Sequence, residues 1–563
     1  MGMPSLKYSS TTRGKLSHSL TQDSLFSKAI CNTLIMAAAM TNSQQPTPSI
    51  TFGVEIECLV PWLFDDQEDP HGHVPDLPPA FRMSREEVGS GDPSDAASGL
   101  VFQKVQDTIN TLGLSSTLVK KAENWSDPLY GYAFWEVEHD ASVRSIDNLG
   151  YESTYSRESI AHWVPLEIQS PVEVASEGGR GGAKAFEIIR YVIDVLTSKY
   201  RIFVNQTCSV HVHVGQAREP LPVNKLQRLG ALCFAADPLL FTLHHPLRRV
   251  NNYCRPISEY TMVAQNAAIM PRHTETYPSG ELVYSTECRD YIGAGLRHGE
   301  EPMSWRVLHY GDSTLDAFKR TRRPGHFEPF ILGVNWDNRP NIVVERPALS
   351  DNDFLYRIVE QRVRSASTAT TTAAAATTTH QPARTRTLQR IAIHRLTEDE
   401  VRDQRERLFL KTGSQMQRRA PSRGQTPALK AAERIFQAAS SCEIEALLST
   451  EDGKRPSINF AAYNCSELET GDEVGTKRTI EFRMGSASLD GVWLSTWARI
   501  CAGLVRFAIQ APVTRYLDVL TRCDKGTGYD VLDLLDDLGL FVEAEVAERR
   551  LAENSKEWDL KFE

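Results

Sequence analysis

The chain has 563 residues, a formal net charge of −10, 41% hydrophobic residues and 24% charged residues. That length can bury a sizeable core and allows more than one domain, while the mild acidity lacks the basic footprint of a general nucleic-acid binder. No run of about 18 apolar residues occurs, so no membrane span is expected. The ten cysteines include no Cys-x-x-Cys pair and read as small buried hydrophobes in a reducing compartment.

Residues Met1–Thr47 are rich in Ser and Thr, carry Lys7, Arg13, Lys15 and Lys28, and have Asp23 as their one acid. This is a transit-peptide composition. The apolar piece Ala29–Met40 is interrupted by Asn32 and Thr33, and Gly2 fails the myristoylation pattern because position 6 is Leu. A disordered leader, or a true start at Met36 or Met40, is placed ahead of mitochondrial import. The expected location is cytoplasmic.

The first patterned stretch is Thr51–Glu57. Phe52, Val54 and Ile56 alternate with Gly53, Glu55 and Glu57, the period of a half-buried strand. Two carboxylates side by side on one face are unfavourable in an ordinary strand, because like charges repel and Glu pairs poorly there. Pro61–Gly99 is dense in Pro, Gly, Asp and Ser and reads as a long loop. Leu100–Leu112 has helical spacing and stops at Gly113.

A second acid-bearing strand is expected over Phe134–Asp140, and a third runs from Val164 into Glu167, with Pro171 ending its ladder. Gly178–Lys184 is a near miss to a phosphate loop, since Lys184 is flanked by Ala183 and Ala185. It is read as a flexible entry to a helix over Ala183–Tyr200. The strand Cys208–Val214 carries His211 and His213 on one face. A helix over Val223–Leu243 follows, with an interruption expected near Asp237-Pro238.

Ser279–Asp353 shows no clean period. Ser365–Thr387 is a Ser/Thr/Ala-rich tract with nothing to bury, expected to be disordered. Leu388–Lys411 is charged with helical spacing, and Thr412–Pro427 is loop-like. The core pattern returns at Ser457–Asn464. Thr479–Arg483 sets Glu481 and Arg483 on one face against Ile480 and Phe482 on the other. Val492–Ile509 is a strong amphipathic helix, and the acidic C-terminal segment is expected to form covering helices.

Glu55 with Glu57, Glu167, His211 with His213, and Glu481 with Arg483 each have a bland account. A His-x-His strand is usually a satisfied pair, and Glu-x-Arg is often an ion pair. Together they supply carboxylates and imidazoles for two or more hard divalent cations, plus a guanidinium suited to phosphate. Those are the requirements of phosphoryl transfer; without the Arg, the set would also serve two-metal hydrolysis.

In order along the chain, Phe-Gly-Val-Glu-Ile-Glu, Asp140-Ala141-Ser142, Glu167–Pro171, His-Val-His-Val and Thr-Ile-Glu-Phe-Arg resemble the putative amidoligase family. That family lies in the superfamily of carboxylate–amine ligases with glutamine synthetase and glutamate–cysteine ligase. Arg248–Tyr253 and the Trp-bearing helix after Arg483 fit as well. The resemblance covers Thr51–Tyr260 and Ser457–Ala511, with residues 261–456 as an apparent insertion in one catalytic domain spanning 48–563. It implies an α+β fold with a curved, mostly antiparallel, glutamine-synthetase-like sheet, helices on its outer face and the site in its concave face.

It further implies that Glu55 and Glu57 bind separate Mg²⁺ (or Mn²⁺) ions. His211 and Glu481 would join the nucleotide-side ion, and Glu167 the substrate-side ion. His213 would lie near the ATP phosphates and Arg483 would face the transferred phosphate. Asp140 belongs to the motif without an assigned step. The implied activity is ATP-dependent amide formation from a carboxylate and an amine. The alternatives are a metal-dependent hydrolase on the same site and an inactive relative used as a binding module.

Overall fold

In a computed structural model of the chain, the described residues are 49–69, 71–74, 77–88, 93–114, 116–118, 134–140, 142–143, 162–175, 182–216, 220–251, 253–272, 275–276, 282–283, 304–309, 386–393, 396–409, 424, 426–438, 440–450, 455–463 and 478–563. The leader Met1–Thr47, the Ser/Thr/Ala tract up to residue 385 and the glycine-rich entry at 178–181 lie outside them.

The first patterned stretch becomes β1, Thr51–Phe64, the longest strand of a nine-stranded sheet. The other members are β2 (Phe81–Met83), β3 (Ser116–Leu118), β4 (Trp135–Glu138), β5 (His162–Gln169), β6 (Glu173–Val174), β7 (Ser209–Gly215), β12 (Ile458–Asn459) and β13 (Thr479–Ser486). Two small ladders stand apart, β8 (Ala267–Arg272) with β11 (Ser304–His309), and β9 (Glu275–Thr276) with β10 (Leu282–Val283). The strand order is β12-β13-β7-β1-β5-β4-β3, with β2 and β6 also on β1. Only the β1–β2 and β3–β4 pairings in this sheet are parallel.

β1 runs through Pro61 to Phe64, where a loop was expected. Pro61 sits opposite Trp163 of β5, past the β7 pairing and before the β2 pairing, so one flank is open at the residue that lacks an N–H. The same expected loop also contains β2 and the start of the Pro93–Thr111 helix. Gly113, with φ +74, ends that helix's run in the left-handed region.

Alternation decides what each face does. Phe52, Val54 and Ile56 of β1, Val164, Leu166 and Ile168 of β5, Val210, Val212 and Val214 of β7, and Ile480, Phe482 and Met484 of β13 join one buried core. The helices Pro93–Thr111, Gly182–Lys199, Val223–Leu240 and Gly491–Gln510 contribute to that core from the same side. The ionisable residues between these positions therefore share the opposite face.

The Val223–Leu240 helix is continuous through Pro238 and tightens into a 3₁₀ turn at Phe241–Leu243. The expected interruption is absent. Val223–Leu243 and Gly491–Gln510 are long and apolar enough to cross a membrane, yet both are largely buried inside this protein. Asp490 starts the latter helix, accepting hydrogen bonds from the Val492 and Trp493 amides.

Part of the interval 261–456, read as an insertion, packs into the main core. Ala431, Ala432 and Ile435 of the Ala428–Gln437 helix and Ile444, Leu447 and Leu448 of the Ser441–Leu448 helix lie in the main core. A Cβ on Gly230 would come within 2.9 Å of Leu448 Cδ1, so this helix pair meets the Val223–Leu240 helix at close range. Leu448, Ile435 and Ile444 carry that contact around Gly230. Arg386 and Thr387, read as the end of the disordered tract, are also held: Arg386 pairs with Asp530, and Thr387 bonds Glu548.

Candidate active site

The polar sheet face is assembled by register. β7 and β5 flank β1, setting Glu55 opposite His211 on one side and Gln169 on the other. Glu57 stands opposite Glu167, and Glu481 of β13 opposite His213 of β7. Asn459 of β12 is opposite Glu481. Strands far apart in sequence thus place their ionisable residues in one row across the sheet. All eight residues singled out in the sequence, Glu55, Glu57, Asp140, Glu167, His211, His213, Glu481 and Arg483, belong to this neighbourhood.

They sort into two adjacent groups. Glu55, His211 and Glu481 each offer a ligand atom within 4.8 Å of the others, and so do Glu57, Asp140 and Glu167. His211 Nδ1 lies 3.1 Å from Glu55 Oε2 and 3.7 Å from Glu481 Oε1. Its Nε2 lies 2.7 Å from Ser209 Oγ, which donates to Glu57 Oε2 at 2.7 Å. His213 Nε2 is 3.0 Å from Glu55 Oε1 but misaligned for a hydrogen bond, leaving that buried nitrogen unsatisfied.

Arg483 is 6% exposed and ion-paired with Glu481 through Nη1; its Nε donates to the Tyr253 carbonyl at 3.2 Å. The plain pairing anticipated for Glu-x-Arg is therefore present, in a buried setting where an unpaired charge would be costly. β13 slips register between Phe482 and Gly485, so Arg483 projects from an irregularity in the strand. A Cβ on Gly485 would sit 2.4 Å from the Val210 carbonyl oxygen, which makes glycine a requirement of that close approach.

The electrostatics show crowding on one side and compensation on the other. Burial, then the neighbouring Glu55, Asp140 and Glu57, pushes the Glu167 carboxyl up to about 10. Burial acts the same way on Glu481, yet His213 and Arg483 outweigh it and hold that carboxyl down to about 2. Glu55 is also held well below the usual range, by His213 and His211 against the burial that opposes them. Asp140 is lowered, against its burial, by hydrogen bonds with Glu167 and Ser142.

The donor chemistry fits divalent cations. One group offers two carboxylates and an imidazole and the other offers three carboxylates, all within bridging distance. The forced protonation of Glu167 marks excess negative charge that a cation would neutralise.

Several participants were not singled out by the sequence reading. Ser209 links the two groups, Asn459 donates to Glu481 Oε2 at 2.9 Å, and Gln169 donates to Glu167 Oε1 at 2.7 Å and also to Glu138. Ser209 and Gln169 could have been found by extending the two-residue period of β7 and β5 by one step. Asn459 carries no such signal, because its strand has two residues.

A family model described as putative amidoligase enzyme matches residues 48–278. This agrees with the resemblance carried by the motifs and covers β1, β5 and β7; Glu481 and Arg483 lie beyond the matched span. No curated protein and no solved structure matches the chain.

Proposed function

We propose, from the premise that residues 48–278 match the putative amidoligase family, that this chain is an ATP-dependent carboxylate–amine ligase. The family supports an enzyme of ligase type. The observation that supports the finer reading is the pair of ligand groups, Glu55/His211/Glu481 and Glu57/Asp140/Glu167, side by side on one sheet face with Arg483 at their edge.

In this reading each group holds one Mg²⁺ or Mn²⁺, as in a glutamine-synthetase-like site. Bound there, the cations would neutralise phosphate oxygens and the charge that develops as they are transferred. The sheet fixes Glu55, Glu57 and His211 on rigid strands, so little reorganisation is left for the reaction itself.

Chemically, a substrate carboxylate oxygen attacks the γ-phosphorus of ATP and ADP departs, giving an acyl phosphate. The amine nitrogen then attacks the carbonyl carbon, phosphate leaves, and the amine gives up a proton. Arg483 would release part of its hold on Glu481 and meet the transferring phosphoryl group with its planar fork. His213, half-buried beside Glu55, would face the nucleotide phosphates.

The test is ADP release from ATP with Mg²⁺, screened over pooled acids and pooled amines. Turnover should need an acid, an amine and nucleotide together; hydrolysis of a substrate without ATP would favour the metal-dependent hydrolase instead. Arg483→Lys should retain most nucleotide affinity and lose turnover by about 10²-fold or more, because the two-pronged contact strengthens in the transition state. Equal turnover in both proteins would leave Arg483 as a structural partner of Glu481 alone.

A further inference from the structure

Ser209 is 4% exposed and stands between the two ligand groups. It lies opposite Glu57, one step past the last β1–β7 pair, Ile56 with Val210, on the face that also carries His211. Its Oγ donates to Glu57 Oε2 at 2.7 Å and lies 2.7 Å from His211 Nε2. A hydroxyl has one proton, and an ionised carboxylate can only accept. With that proton committed to Glu57, the hydroxyl oxygen can only accept from His211, so Nε2 must carry hydrogen. In the neutral Nε2–H tautomer the lone pair falls on Nδ1, the nitrogen 3.7 Å from Glu481 and 3.1 Å from Glu55, a hydrogen-bond distance that a cation-bound Nδ1 would give up for the cation.

We propose that Ser209 is a positioning residue that fixes His211 as the Nε2–H tautomer, aiming Nδ1 at the Glu55/Glu481 group, and that it couples that group to Glu57 in the neighbouring one. The inference rests on the cation assignment of the ligase reading. The chain Glu57–Ser209–His211 runs in one direction: a carboxylate drawn towards a cation still holds the hydroxyl proton, and the hydroxyl still holds the imidazole. Ser209 thereby links the two positions alongside the direct approach of His211 Nε2 to Glu57 Oε1 at 3.5 Å.

The experiment compares the intact chain with Ser209→Ala and Ser209→Thr. Mn²⁺ binding, read from the electron paramagnetic resonance of free Mn²⁺, should weaken by roughly tenfold or more in Ser209→Ala, the range seen when the partner of a metal-bound imidazole is removed. Ser209→Thr, which keeps the hydroxyl, should restore it. Ser209→Ala leaves the buried Glu57 carboxylate without this donor and should lower metal-free melting modestly, whereas Ser209→Thr, which keeps the donor, should match the parent, which separates positioning from loss of fold. Independently of any substitution at position 209, ¹⁵N spectra of histidine-labelled protein with Mg²⁺, with His211 assigned by its loss in His211→Gln, should show the proton on Nε2.

Unchanged Mn²⁺ affinity in Ser209→Ala, or a proton on Nδ1, overturns the proposal while leaving the cation reading standing. A parent protein that binds no Mn²⁺ removes both together.

Discussion

At the scale of single residues, folding changes the chemistry of Glu167 at the centre of the candidate site. Its carboxyl is pushed up to about 10 by burial and by the acids around it. A carboxyl raised in this way favours the fold fully below its unfolded value, and that contribution is lost as pH rises towards about 10. Glu55 and Glu481 act in the opposite sense: held low, they contribute above the usual carboxylate range and lose that contribution on acidification. The two windows hardly overlap. The metal-free protein should therefore lose melting temperature steadily between about pH 5 and 9, and Glu167→Gln should flatten that slope and melt higher at the alkaline end. Parallel profiles for the two proteins would show that the buried charge resides elsewhere. Ion pairing of Arg483 with Glu481 belongs to the same scale, and could be read from the Glu-x-Arg spacing, whereas the carbonyl of Tyr253 beneath it could not. Spacing along one strand is local, but which loop crosses beneath it is not.

At the scale of elements, the strands that carry ionisable residues were legible because each declares a two-residue period. Glu55, His211, Glu167 and Glu481 could be placed on faces from Phe52-x-Val54, Val210-x-Val212, Val164-x-Leu166 and Ile480-x-Phe482 alone. Pairing order was not legible, since nothing in β7 states that β1 and β13 flank it. Pro61 misled, because its composition signals a loop while its place in the sheet leaves one flank open. The stretch 428–448 was passed over, although the Ala428–Gln437 helix sets Ala431, Ala432, Ile435 and Phe436 on one buried stripe. The segment after the Ser/Thr/Ala tract gives a sharp boundary to test. Arg386 bonds both carboxylate oxygens of buried Asp530, and the Thr387 and Leu388 amides both reach Glu548 Oε1. Deleting 365–385 should leave the urea midpoint nearly unchanged. Extending the deletion through Thr387 should cost about 3 kcal/mol, by leaving Asp530 buried without its cation. Equal midpoints for the two deletions would show that the latch contributes nothing.

At the scale of the whole molecule, helices cover the apolar face of the sheet, and the other face carries the ionisable row beside a smaller apolar cluster that includes Leu59 and Leu63. A row of carboxylates this close is tolerable only with protons, imidazoles or cations among them. Saturating Mg²⁺ or Mn²⁺ should accordingly stabilise the chain, by about 2.7 kcal/mol at a hundred times its dissociation constant. Glu57→Ala should blunt that shift in thermal melts, and an unshifted parent would remove the two-cation reading.

The position of β13 in the chain carries a consequence for how the protein is made. β13 pairs directly with β7 in the middle of the sheet, yet more than two hundred residues separate the two in sequence. At synthesis rates of about 5–20 residues per second, a ribosome would take some tens of seconds to deliver the missing strand. During that interval β7 waits with an unpaired edge, and Glu55 and His211 are assembled without Glu481 or Arg483. The nascent chain is then an incomplete sheet with an open border, a target for holdase chaperones and for mispairing with a second copy.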